Sequence, residues 1–270
     1  MKTLLMAALR TVIAIELLWL VIGNALLNTP AGPWIASIKD EKFAMDWESG
    51  WTAFPARVSV KDISVRITTW STETRIQADH ASAAIRILPL LSKNLVIDNL
   101  KGGTVRVDIQ REKPPGERPA PSKPYPGLTI QFRNAQVEKV EELVFNRLSV
   151  SGGETQATGS ASLTIRGDKV IESVDAEWLE ADVKFENREF TDTVNVSFSG
   201  SMDAFNPREE TGSQMMSKLT ANARVNGHVG TLRPLKVIFA GTPWIKQIDG
   251  NGNLDLDLEI TRGKLSPGSK

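Results

Sequence analysis

Residues Leu254-Asp255-Leu256-Asp257-Leu258-Glu259-Ile260 alternate strictly between apolar and acidic side chains. A period of two marks a β-strand with one face covered and one in water; on a helix these residues would wrap around the whole surface. Strict alternation also pins the register, because a slip of one residue would turn every leucine into solvent. Gly263, Pro267 and Gly268 interrupt the residues that follow. Unless it pairs backwards into the body, the strand is therefore expected at a sheet edge, where residues 254–260 offer a place for a protein partner's strand or for further chain in longer relatives.

The same pattern runs backwards through most of the chain. Leu219, Ala221, Ala223 and Val225 alternate with polar residues, as do Val194, Val196 and Phe198, and Ala181, Val183 and Phe185. Val58 and Val60 begin a strand whose phase slips after Asp62 and resumes at Val65 and Ile67, as a β-bulge would produce. Leu95 and Ile97 precede Gly102-Gly103, and Val105, Val107 and Ile109 follow, which predicts a hairpin at the glycine pair. Residues 113–126 hold six of the 14 prolines and read as an exposed loop within one domain. Leu128, Ile130 and Phe132 resume the alternation at once.

Roughly a dozen strands with one apolar face require a cover, since each exposed Val or Leu forfeits about 1.5–3 kcal/mol. The helices are too few to supply it. One short helix is expected after Asn206-Pro207, with Glu209 closing its cap, and another over residues 34–39. The expected fold is mainly β: an elongated, curled antiparallel sheet, taco- or groove-like. A two-domain β-sandwich fits the composition nearly as well.

Residues 4–27 are almost wholly apolar, broken by Arg10 and Glu16. At 1.5 Å per residue they make a helix of about 36 Å, enough to cross a ~30 Å hydrocarbon core. Lys2 and Arg10 place the N-terminus in the cytoplasm. The expected organisation is a transmembrane signal anchor over residues 1–28 and a β-rich groove domain over 29–270. Glu16 then marks a contact with a partner's helix inside the membrane, or an acid tolerated in a single anchor. Trp34, Trp47 and Trp51 crowd the exit of the helix, and are expected at the membrane interface or in ordinary early-strand core.

Chemistry is sparse. The chain has 32 basic and 32 acidic residues, no cysteine and two histidines, His80 and His228. Nucleic-acid binding, which needs a basic surface, is disfavoured, and disulfides and thiolate sites are excluded. Asp249-Gly250-Asn251-Gly252-Asn253 opens like a calcium loop, but Ile260 stands where the loop needs its final acid, so a turn is expected. No catalytic residue, metal ligand or cofactor site is assigned, and the chain reads as a non-enzyme.

The opening apolar stretch, residues 4–27 read as an anchor, and three further segments carry a resemblance. Residues Phe54-Pro55-Ala56-Arg57-Val58-Ser59-Val60-Lys61-Asp62-Ile63, then Ala84-Ile85-Arg86-Ile87-Leu88-Pro89-Leu90-Leu91, then Leu95-Val96-Ile97-Asp98-Asn99-Leu100, resemble the N-terminal region of AsmA-like proteins, with their TamB and YhdP relatives. The resemblance implies a periplasmic body tied to the Gram-negative inner membrane and similar to chorein-type repeating β-groove lipid transporters. It implies a protein that shields or transfers phospholipid acyl chains and contributes to cell-envelope or outer-membrane maintenance. Val105, Val107, Ile109, Leu128, Ile130 and Phe132 are the expected lipid-groove residues. The alternative is a structural or assembly subunit that docks a membrane complex through its helix or its sheet edge.

Overall fold

A computed structural model describes residues 2–37, 43–54, 57–68, 72–86, 88–111, 127–164, 167–186, 188–206, 209–210, 213–231, 250–267 and 269. Two helices open the chain, α1 (Lys2–Leu27) and α2 (Ala31–Ala36). Strands β1 (Phe43–Asp46), β2 (Ser49–Phe54), β3 (Arg57–Thr68), β4 (Thr72–Arg86) and β5 (Asn94–Arg111) follow. Then come β6 (Thr129–Phe145), β7 (Leu148–Ser151), β8 (Glu154–Thr164), β9 (Lys169–Phe185) and β10 (Arg188–Phe205). A four-residue helix, α3 (Ser213–Met216), precedes β11 (Leu219–Val229), β12 (Gly252–Thr261) and β13 (Lys264–Leu265). The molecule is mainly β, and its strands form one 13-stranded hydrogen-bonded sheet.

The strand order follows the chain from β3 to β6 and from β9 to β13. Strands β1 and β2 lie end to end against β3, and β7 and β8 lie end to end between β6 and β9. Most pairs are antiparallel, as expected, but β5 and β6 run parallel, with Asn94 opposite Thr129 and Ile109 opposite Phe145. A tight turn suffices between antiparallel neighbours, whereas a parallel pair needs a crossover of a dozen or more residues. Residues 112–128 provide that length. The proline-rich loop assigned to 113–126 lies outside the described residues.

The hairpin expected at Gly102-Gly103 is not formed: β5 continues through both glycines as one 18-residue strand. Glycine at 103 reflects crowding, since a Cβ there would sit 2.3 Å from Asp79 Oδ1 and 2.1 Å from His80 Cε1. Asp79 Oδ1 instead accepts the Thr104 backbone N–H at 2.8 Å. The phase slip at Asp62 is present, with φ +49°, and Asn99, Asn134 and Glu180 (φ +51°, +53° and +55°) slip in the same way. Each slip turns the strand by one residue, so the apolar side chains beyond it return to the same face.

Most of the helix expected after Asn206, residues 207–208 and 211–212, lies outside the described residues; at its start Glu209 N–H and Glu210 N–H both donate to Asn206 O. Glu210, one residue later than expected, reaches back to accept the Asn206 N–H at 3.1 Å.

Helix α1 has 26 residues, about 39 Å at the standard rise. Its stripe Glu16, Trp19, Leu20, Gly23, Asn24 and Leu27 is half-buried, with the spacing of one helical face. That face docks on β2. Asn24 Oδ1 accepts the Thr52 N–H and its Nδ2 donates to Thr52 O, both at 2.9 Å. Asn28 repeats the arrangement at Gly50, donating to its carbonyl at 2.7 Å and accepting its N–H at 3.3 Å.

This use of the helix corrects the expected anchor. Among the described residues no helix is long and apolar enough to cross a membrane. The single-pass anchor over residues 1–28, and the inner-membrane localisation with a periplasmic body built on it, do not stand. Arg10 and Glu16 interrupt the apolar run, and the Asn24 and Asn28 amides serve the sheet edge.

Candidate functional site

Tracing partners from strand to strand shows how the apolar face is assembled. One row crosses nine strands, from β1 to β11: Met45, Val65, Ile76, Val107, Leu143, Val150, Val183, Thr191 and Val229. A second row carries Ile85, Ile97, Phe132, Ala161, Ile171, Met202 and Leu219. Between them runs a row dominated by small residues: Gly50, Val60, Ala81, Gly102, Val137, Ala157, Ala176, Phe198, Ala223 and Leu258. Mostly large side chains thus flank a strip of mostly small ones that runs perpendicular to the strands. Ten strands at about 4.8 Å spacing give it a length of about 43 Å.

The face is only partly covered. The described hydrophobic core is confined to Ala78, Val96, Val105, Ala181, Phe185, Val194, Ala221 and Val229. Val107, Leu143, Ile97, Phe132, Val137, Ala176 and Ala223 all remain half-buried. In a sandwich, a second sheet would bury these positions.

Five of the six expected groove residues fall on this face, in two groups. Val105, Val107 and Ile109 lie opposite Val140, Leu143 and Phe145, whereas Ile130 and Phe132 lie opposite Leu95 and Ile97. Leu128 is half-buried just before β6. Because β5 and β6 are parallel, the groups sit at opposite ends of the strands, about 26 Å apart from Ile97 to Val105. The small-residue row connecting them was missed: alanine and glycine in alternation read as weak strand rather than as a floor.

The tryptophans divide. Trp34 and Trp51 are exposed. Trp47 is half-buried and donates its indole N–H to Leu27 O at 2.7 Å, closing the C-terminal end of α1. Glu16, expected inside a membrane, lies on the α1 stripe that continues through Trp19 and Asn24.

The polar face carries the charges. An open depression of about 650 Å³ crosses β8 to β12, lined by Gln156, Glu177, Asn222, Arg224 and Asp257 among others. Arg224 and Asp257 form an exposed ion pair at 3.4 Å. On β5, Arg106 makes a two-pronged contact with the bulged Glu141, 3.0 Å in each arm, which raises the guanidinium further above its ordinary value. Among the described residues no group of three His, Cys, Asp or Glu is placed to hold a metal ion. His228 Nδ1 lies 3.1 Å from Asn253 Oδ1, and Asp249 is outside the described residues.

No family model matches the chain, and no curated protein does. The AsmA-like resemblance therefore rests on the quoted segments alone.

Proposed function

We propose that the protein is a non-enzymatic, AsmA-like lipid handler that shields phospholipid acyl chains along the apolar face of its sheet. The strip dominated by small residues carries this reading, because strand pairing continues it from β2 to β12, with rows of mostly large side chains on both sides from β4 to β11. Neighbouring strands twist by about 20–25°, so a sheet this wide curls rather than lying flat. Curled with the apolar face inward, it forms an elongated groove. Each buried CH2 is worth about 0.8 kcal/mol, so a sixteen-carbon tail gains about 12 kcal/mol from such cover without any specific polar contact. The half-burial of the face supports an occupant that is neither a second sheet nor a packed helix.

Photo-crosslinking side chains placed at Val107, Phe132, Ala176 and Ala223 test the proposal. Capture of phospholipid at all four, and none at Arg133 or Asp255 on the polar face, is the expected result. Capture of protein alone overturns it.

A further inference from the structure

The two edges of the sheet are treated differently. On the first, the outward backbone groups are met by side chains of the N-terminal segment: Ser37 Oγ serves both N–H and C=O of Met45, Asn28 those of Gly50, and Asn24 those of Thr52. No strand can add there.

On the second edge, β12 pairs with β11 from Gly252 to Ile260. Among the described residues its other side is covered only at one end, where β13 pairs with Ile260 and Thr261. Beside it, Ser266 N–H donates to Glu259 O, and Ser269 Oγ accepts the Glu259 N–H. Backbone direction alternates along a strand, so Asn253, Asp255 and Asp257 aim their N–H and C=O groups the same way as Glu259, away from β11. Among the described residues no strand pairs with that stretch.

We propose that this stretch binds an extended segment of another protein, with apolar and basic residues in alternation, added as a further antiparallel strand. The apolar residues would extend the row of Leu254, Leu256 and Leu258. The basic ones would lie over Asp255 and Asp257, both exposed. The same acids exclude a second copy of this chain, because β12 paired with itself sets carboxylates opposite carboxylates, and like charges directly opposite destabilise a sheet. A lone Arg224 on β11 leaves the acids in excess. The inference does not depend on what fills the apolar face.

Two synthetic peptides of alternating valine and lysine, or valine and glutamate, test it on the full chain by amide hydrogen exchange and fluorescence anisotropy. The lysine peptide should slow exchange at Asn253, Asp255 and Asp257 and bind about tenfold or more tightly than its glutamate twin. Asp255→Pro, which removes an outward N–H and leaves the Leu254 and Leu256 bonds to β11, should abolish that binding. The double variant D255K/D257K should reverse the preference between the peptides. Equal binding of the twins, no protection by either, or dimerisation protecting these amides would overturn the proposal. So would amides already slow in the free protein, which would mean the chain covers its own edge.

Discussion

Trp19 of α1 donates its indole N–H to Thr52 Oγ1 in β2 at 3.2 Å, and that hydroxyl donates in turn to Arg57 O at 2.6 Å. Thr52 is only 1% exposed, so helix and sheet edge meet in a buried polar contact. Asn24 satisfies both backbone groups of the same residue. Truncating it removes two hydrogen bonds from a buried residue, whereas Trp19→Phe removes one donor from a hydroxyl that keeps another partner. Asn24→Ala should therefore cost about 2–3 kcal/mol and Trp19→Phe about 0.5–1.5 kcal/mol. Urea denaturation of the two variants checks the order; equal costs would mean α1 is not held through Asn24.

Gly152 and Gly153, with φ +73° and +65°, break the row of strand shared by β7 and β8. A Cβ at 153 would lie 2.0 Å from Leu179 O and 2.7 Å from Glu180 O, both rigid backbone. At 152 its nearest neighbour would be the side chain of Asp182, at 3.0 Å, with backbone no nearer than 4.0 Å. Gly153→Ala is expected to destabilise by about 2–4 kcal/mol and Gly152→Ala by about 1–2 kcal/mol. Thermal denaturation of both separates backbone crowding from simple left-handed strain.

These features were unequally legible in the sequence. The alternation at residues 254–260 and the slip at Asp62 could be read directly, because side-chain period records which face is covered. Period carries no strand direction, so the parallel pairing of β5 and β6 was hidden. Gly102-Gly103 looked like a turn because glycine is ambiguous between a turn and a close approach; His80 and Asp79 supply the approach. Asn24 and Asn28 carry no such signal in the sequence, where an amide in an apolar run has no visible partner. Four residues of helix rise about 6.0 Å and two residues of strand about 6.8 Å, so amides at that spacing match alternate residues of a strand edge. That match appears only once β2 is known to lie alongside.

Asp79 links two strands through a carboxylate that also faces His80 at 3.0 Å. Slight desolvation would raise its pKa, but the Thr104 and His80 backbone N–H groups and the charge of His80 outweigh this and hold it below the usual value. A lowered carboxyl contributes stability that is complete above its unfolded value, near 3.9, and is lost as pH falls through the folded one. Below about pH 4 the wild type should thus lose stability more steeply than Asp79→Asn, which keeps an acceptor without the charge. Parallel urea midpoints for the two proteins between pH 3 and pH 5 would refute this assignment.

Thr191 is the one polar member of the row that runs from Met45 to Val229, lying opposite Val183 on one side and Val229 on the other. It is 3% exposed, and its hydroxyl oxygen is buried without a hydrogen-bond partner. A buried unsatisfied hydroxyl costs about 1–3 kcal/mol, and valine fills nearly the same volume without it. Register shifts on both sides of Thr191 against β9 remove the regular ladder that might otherwise bring a carbonyl within reach. Thr191→Val should therefore stabilise the protein by about 1 kcal/mol, raising the melting temperature by about 2–3 °C. Because the substitution also completes an apolar row, lipid capture at Val107 should stay at least as strong as in the wild type. A lower melting temperature would show that the hydroxyl has a partner in solution, and weaker capture would show that the row does not line the acyl-chain path.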